Sequence, residues 1–497
     1  MLDALSLPAQ ESVTETTNVL IVGTGFSGLC MAIKQKQAGN RNFLLLEEAQ
    51  DVGGTWRDNH YPGCACDIPS HLYSLSFAPK HDWSRMYPSQ PEIFGYMRSV
   101  ADSYGLRGKI RFGAKMQRAV WDEARAVWTI CTEDGRVFEA RALVCGMGGL
   151  HVPLIPDIPG AGSFAGPSFH SAAWRHDIDL AGKRVAVIGT GASAIQFVPQ
   201  IAPAAAHLDL YQRTPPWIMP RMDYAFSEQQ LRRLKNPLLR ILFRNWIYLT
   251  HELRALGFLG GRLFAGAGKG MALKHLARQV KDPALRRKLT PDYELGCKRV
   301  LISNDYFPAL SRPNVDVITT GIREIRAGGI ITQDGVEHPA DVIIFGTGFH
   351  TTDALASLDI RGIGGVPLAQ IYKQGMHAYY GITVPGFPNM FIMMGPNTGL
   401  GHNSMVVMIE AQVRYAMSLL TQMKRRGWGA ADVRADIEAR YNTELQQRLA
   451  KTIWQTGGCK SWYQDANGKN TTLWPGFTLE YVWRTRRADL ADYARVA

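Results

Sequence analysis

Two glycine-rich turns hold the residues whose spacing points to chemistry. Gly23-Thr-Gly25-Phe26-Ser27-Gly28 and Gly189-Thr-Gly191-Ala192-Ser193-Ala194 both carry the pattern that wraps backbone around a dinucleotide pyrophosphate. The first glycine lets the chain turn sharply and the second admits the diphosphate. The third position, Gly or Ala, lets the following helix pack closely on its strand. That helix then presents unpaired N–H groups and the positive end of its dipole to the phosphates. Glu47, 19 residues beyond Gly28, is placed to hydrogen-bond ribose hydroxyls at the first site. The second site has no acid at the matching place. Arg213 stands there instead, within Tyr211-Gln-Arg-Thr-Pro-Pro-Trp217. An arginine there accommodates the adenosine 2′-phosphate of NADP through a planar, bidentate fork, and Thr214 adds a hydroxyl donor.

Such turns bind nucleotides only when strands and helices position them. Asn18–Val22 is a short apolar run ending at Gly23, as expected for a buried parallel strand. Gly28–Ala38 continues as a helix closed by Gly39, and Asn42–Leu46 is a second strand ending in Glu47. Strand, glycine turn, helix, strand and acid make the complete βαβ context. Arg184–Ile188 and Leu208–Tyr211 supply the same strands around the second turn. The two units lie too far apart for one mononucleotide half and imply two Rossmann-like domains in an α/β fold. From about Phe226 to Pro291 the pattern becomes Arg- and Leu-rich with helical periodicity, a helical insertion in the second domain. Strands resume at Val315–Thr319 and Asp341–Phe345. A further strand, Asn389–Met394, leads into the glycine-rich loop Gly395–Gly401 and a helix through about Arg426. The expected organisation is nested: 1–150 with 386–497, 151–218 with 297–385, and 219–296 as the insertion.

Bulk properties exclude several function classes. At 497 residues, 46% hydrophobic and 20% charged, the chain is an ordinary globular protein of two or three domains. The charge of +12 comes from scattered basic residues with no nucleic-acid-binding signature, so nucleic acid is not an expected partner. Seven dispersed cysteines do not form a disulfide framework and point to a reducing, cytoplasmic setting. Cys64-x-Cys66 has the wrong spacing for zinc or dithiol chemistry, and no metal is expected. The N-terminus lacks the pattern of a secretory signal. The apolar stretch Leu238–Leu263 is interrupted by five charged residues, so it reads as an amphipathic helix covering a core or channel. Peripheral membrane contact is the lesser reading.

Two longer motifs add a resemblance. Gly53-Gly-Thr-Trp-Arg-Asp-Asn-His-Tyr-Pro-Gly-Cys-Ala-Cys-Asp67 follows the first βαβ unit. Phe164-x-Gly166-x-x-x-His170-x-x-x-Trp174 lies between the two nucleotide turns. Together they resemble the signatures of type I Baeyer–Villiger monooxygenases, in order along nearly the whole chain. The shorter run departs from the family at Arg175, where Pro or Asp is usual. The resemblance implies FAD at the first site, contacted by Gly23, Gly25, Phe26, Ser27, Gly28, Glu47, Gly54, Thr55, Trp56, Asp67 and Tyr73. It implies NADPH at the second, contacted by Gly189, Gly191, Ala192, Ser193, Ala194, Arg213, Thr214, Lys298 and Trp462. It also implies O2 and a small hydrophobic ketone as reactants, with Arg299 as the catalytic arginine and Asp67 orienting it. In that chemistry a C4a-peroxyflavin attacks the carbonyl, and a Criegee adduct rearranges to an ester or lactone. A guanidinium that stays protonated would stabilise both anions. His170 and Trp174 fall in a run read as a hinge, and His402, Tyr463 and Trp474 as loop or packing residues. The alternative is a flavin monooxygenase acting on sulfides or amines. A non-catalytic redox sensor would lack the oxygen site, whereas Asp67, Arg299 and Trp462 are all present.

Overall fold

Two sheets carry the two glycine turns. The structure, a computed structural model, describes residues 14–259, 262–351, 355 and 358–497, without the side chains of 262–265. The tail read as lacking a secretory signal falls largely at 1–13, outside the described residues.

The first sheet has eight strands. Its centre is β1 (Glu15–Val22), parallel to β2 (Phe43–Leu46), which pairs with β3 (Ile110–Arg111). On its other side β1 runs parallel to β6 (Val137–Cys145). Near its start β6 pairs antiparallel with β5 (Val127–Thr132), itself antiparallel to β4 (Met116–Asp122); near its end it pairs parallel with strand Met390–Ile392. That last strand brings the chain back to the first sheet. An earlier return was missed: Asp359–Arg361 pairs parallel with β4, so these residues join the first sheet before residue 386. A three-residue strand among loops is too short to show a period of its own.

The second sheet is all parallel: Val315–Ile318, then β9 (His207–Tyr211), β8 (Arg184–Ile188), Val342–Phe345 and β7 (Ser168–His170). Of its inner strands, β8 and Val342–Phe345 are near-continuous apolar runs because both faces are covered. The run Phe164–Trp174, read as a hinge, contributes the edge strand β7. Trp174 is buried against Phe169 and Phe197, with ring centroids 5.3 and 5.2 Å away.

Between Glu228 and Lys288 the regular structure is helical, led by Pro237–Leu253 and Arg262–Gln279. Helix Pro237–Leu253 does not float over the surface. Its buried Glu252 accepts hydrogen bonds from Asn403 Nδ2 and the Leu479 amide, each at 2.8 Å. Arg244 donates to the carbonyls of His71 and Ser74. Charges buried in this way are tolerable because each meets several partners. No helix among the described residues is long and apolar enough to cross a membrane.

Candidate active site between two nucleotide turns

Helix α1 (Phe26–Gln37) starts directly after the first glycine turn, and its N-cap Gly25 makes no side-chain cap. The amides of its first turn therefore face outward without a capping side chain. Gly23 has φ +93, a conformation L side chains rarely adopt, and a Cβ on Gly28 would lie 1.9 Å from the Gly23 carbonyl oxygen. By contrast, nothing lies within 4 Å of a Cβ placed on Gly25. The turn is thus tight where it packs on itself and open where a diphosphate would approach. At the second turn helix Ala194–Ile201 is likewise uncapped by side chains, and Gly189 has φ +109.

Glu47 is buried at the end of β2, but its carboxylate already has partners. Thr24 donates from its amide and hydroxyl, Ala49 from its amide, and Arg57 Nη1 lies 2.7 Å away. A ribose here would share this acid with Arg57, a residue the glycine pattern does not flag. Beyond the turn, Trp56 donates from Nε1 to the Tyr73 hydroxyl at 3.0 Å, and Phe26 meets Tyr73 edge-on at 5.3 Å. Gly54 and Thr55 begin the short helix that carries Trp56. Phe26, Trp56 and Tyr73 therefore form one aromatic wall beside the turn. Burial holds the Tyr73 hydroxyl well above its ordinary pKa, so it stays protonated.

The remainder of the Gly53–Asp67 run docks on the second domain. Tyr61 Oη donates to Gln196 Oε1 at 2.9 Å, and Gln196 returns a bond to the Ala65 carbonyl at 2.9 Å. The Tyr61 ring meets Phe197, which also contacts Trp174. Both long motifs thus converge on helix Ala194–Ile201, which the second glycine turn launches. Arg175, where the short motif departs from its pattern, is exposed and paired with Asp177, away from this contact.

Asp67 comes out of that dock facing Arg299. Arg299 Nη2 lies 2.6 Å and Nε 3.0 Å from Asp67 Oδ2, so one carboxylate oxygen takes both bonds. Each side chain keeps about three-tenths of its surface accessible, at 31% and 28%. The Asp67 charge holds the guanidinium above its usual pKa against the opposing effect of burial. Tyr463, read as a packing residue, lies close enough to Arg299 and Asp67 to feel both charges. Its ring is buried, its hydroxyl has no protein partner, and burial pushes its pKa up to about 12. Next to it Trp462 is 46% exposed, its ring centroid 4.6 Å from that of Tyr463.

A second cationic group lies beside the second turn. Lys298 Nζ donates to Thr214 Oγ1 at 3.2 Å and sits 4.8 Å from the Tyr293 ring centroid. Burial lowers the pKa of its amine, and the neighbouring Arg213 charge lowers it further. Two cations and a hydroxyl gathered here suit a dianionic phosphate, although Asp292 also acts on the Lys298 charge. His402 bonds Thr478 at 3.2 Å and lies 3.7 Å from Glu252, a structural setting in the loop. Trp474 donates to the Phe477 carbonyl and packs on Tyr481.

One contact overturns an expectation. Cys297 and Cys459 form a disulfide, although the dispersed cysteines point to no such framework; Cys30, Cys64, Cys66, Cys131 and Cys145 are free. The two partners are 162 positions apart, and no local pattern could pair them.

The family model described as pyridine nucleotide-disulphide oxidoreductase matches residues 20–244. A Baeyer–Villiger monooxygenase of Pseudomonas aeruginosa is 48% identical over 492 residues, covering 99% of this chain and 93% of that protein. Another from Streptomyces coelicolor is 48% identical, covering 97% and 93%. Among solved structures, OTEMO in complex with FAD and NADP is similar with a TM-score of 0.88 at 28% identity, covering 97% of this chain and 99% of that one. Cyclohexanone monooxygenase from Rhodococcus sp. Phi1 bound to NADP+ is similar with a TM-score of 0.85 at 28% identity, covering 95% and 97%. The chain belongs to the Baeyer–Villiger monooxygenases, and with them to the oxidoreductases.

Proposed function

We propose that this chain uses FAD, NADPH and O2 to insert one oxygen atom beside the carbonyl of a small hydrophobic ketone, giving an ester or lactone. The observation that carries this reading is the Arg299–Asp67 pair, set where the Gly53–Asp67 run meets the second domain. FAD, when bound, would supply hydride acceptance from NADPH and activation of dioxygen. The residues fit it: an uncapped helix start, an open face at Gly25 and the wall of Phe26, Trp56 and Tyr73.

Arg299 keeps its proton across the working pH range and offers N–H groups to the negative charge that develops as the carbonyl is attacked. Asp67 aims the guanidinium and sustains its charge. Arg213, Lys298 and Thr214 would hold the 2′-phosphate of NADPH, and Trp462 would cover the nicotinamide half with its exposed indole face. The domain division that fits these roles is the FAD domain at 1–150 and 386–497, the NADP domain at 151–218 and 297–385, and the insertion at 219–296, with 359–361 added to the first. The five free thiols support a cytoplasmic setting. The exposed position of Arg175 gives no reason to prefer sulfide or amine oxidation.

The test is Arg299→Ala, assayed with NADPH on a ketone and a thioether in parallel. The expected result is continued NADPH oxidation with ester formation lost. Unchanged ester yield would remove Arg299 from the chemistry, and failure of the purified protein to bind flavin would overturn the reading entirely.

A further inference from the structure

Cys297 immediately precedes Lys298 and Arg299, and Cys459 lies three residues before Trp462. The disulfide between them therefore ties the segment bearing both cations to the segment bearing the exposed indole. Non-covalent contacts already align the two strips of chain. The Glu294 amide donates to the Gly457 carbonyl at 3.1 Å, and a Cβ on Gly457 would lie 2.7 Å from that of Cys297. The thiols are thus held in register whether or not they are bonded. Cys297 is fully buried in a small cluster with Trp217, Ala272 and Tyr293, while Cys459 is only partly covered and leads into the exposed Lys460.

We propose that Cys297 and Cys459 are a reversible oxidation site that locks the Trp462 segment onto the Lys298–Arg299 segment. Hydrogen peroxide is the oxidant. The Cys459 thiolate attacks one peroxide oxygen, the O–O bond breaks, and a sulfenic acid and hydroxide form, the latter taking up a proton as water. The Cys297 thiol then attacks that sulfur, forming the S–S bond and releasing a second water. Overall two thiols and one peroxide give one disulfide and two waters. A dithiol reverses it by exchange, entering at the more accessible Cys459 sulfur and leaving oxidised itself. With five thiols free in the same chain, the bond fits a transient redox role better than a framework. What the lock does for NADPH rests on the function proposed above; the lock itself does not.

The test compares peroxide-oxidised protein, dithiothreitol-reduced protein and the Cys459→Ser variant, with Cys131→Ser, a free thiol elsewhere, as the control for general oxidation. Peptide mapping without reductant should show the Cys297–Cys459 link after peroxide and its loss after dithiothreitol. Trypsin should cleave after Lys460 about fivefold faster in the reduced and Cys459→Ser forms, since a freed segment opens more often. Neither readout needs a cofactor. With NADPH, the same two forms should release NADP+ about fivefold faster than the oxidised one. A bond that resists dithiothreitol, or fails to form with peroxide, overturns the proposal. Equal trypsin rates in the linked and unlinked forms overturn the lock. Unequal trypsin rates with equal NADP+ release would refute only the link to nucleotide binding, and failure to bind flavin would fall on the proposed function alone.

Discussion

Replacing Arg213 by Ala removes one of two cations gathered beside the second glycine turn. Lys298, anchored on the Thr214 hydroxyl at 3.2 Å, stays behind. Arg213 would meet the 2′-phosphate through charge-assisted bonds, worth about 1.5–3 kcal/mol to a charged partner. At about 1.4 kcal/mol per factor of ten, the loss predicts a roughly 10- to 150-fold fall in kcat/KM for NADPH. NADH lacks the phosphate, so its kcat/KM should barely change. Steady-state rates with both coenzymes give the ratio directly. If the two kcat/KM values fall together, Arg213 supports the fold or the shared part of the nucleotide. If neither moves, the cationic pair has been misread.

Gly166→Ala should lower the melting temperature, because its Cβ would sit 2.3 Å from the Asp341 carbonyl oxygen and force the edge strand outward, a cost of about 1–3 kcal/mol. Gly162→Ala, with open space at its Cβ, should melt like the parent; equal melting of both variants would refute the contact. Trp174→Ala empties the buried site shared with Phe169 and Phe197 and should cost about 3–5 kcal/mol in urea unfolding, most of it recovered by Trp174→Phe. His151 is raised to about 10 by the Asp58 and Glu48 carboxylates beside it. A histidine raised on folding stabilises fully below its unfolded value near 6.5 and loses that contribution as pH rises towards 10. Thermal melts should therefore show stability declining across that window in the parent more than in His151→Gln, and parallel curves would exclude this ion pair as a contributor.

The nucleotide turns were legible because their constraint is local. Gly23 needs a positive φ and Gly28 a bare Cα within a few residues of chain, so the pattern appears wherever a pyrophosphate turn forms. The strands around them were legible for a similar reason, since each apolar run is long enough to show its burial. Glu47 was found by spacing, but not the Arg57 that shares it, because nothing in the glycine pattern requires that cation.

Other features depended on chain segments meeting across the fold. Arg299 and Asp67 are 232 positions apart, and only the family resemblance joined them before the structure did. Tyr463 packs in a buried cluster as expected, but its proximity to that ion pair shows only in the folded chain. That the Phe164–Trp174 run supplies an edge strand was not legible, because three residues leave no periodic trace and the strand they pair with lies more than 170 residues later. The cysteines show the division most plainly. Composition described seven dispersed thiols, five of which are free, and the pairing of Cys297 with Cys459 arose only when two loops were packed side by side. Sequence by itself determined what each short stretch of backbone must do, because steric and solvation demands act over a few residues. The tertiary structure decided which side chains share a site, because that depends on how distant elements close around a common core.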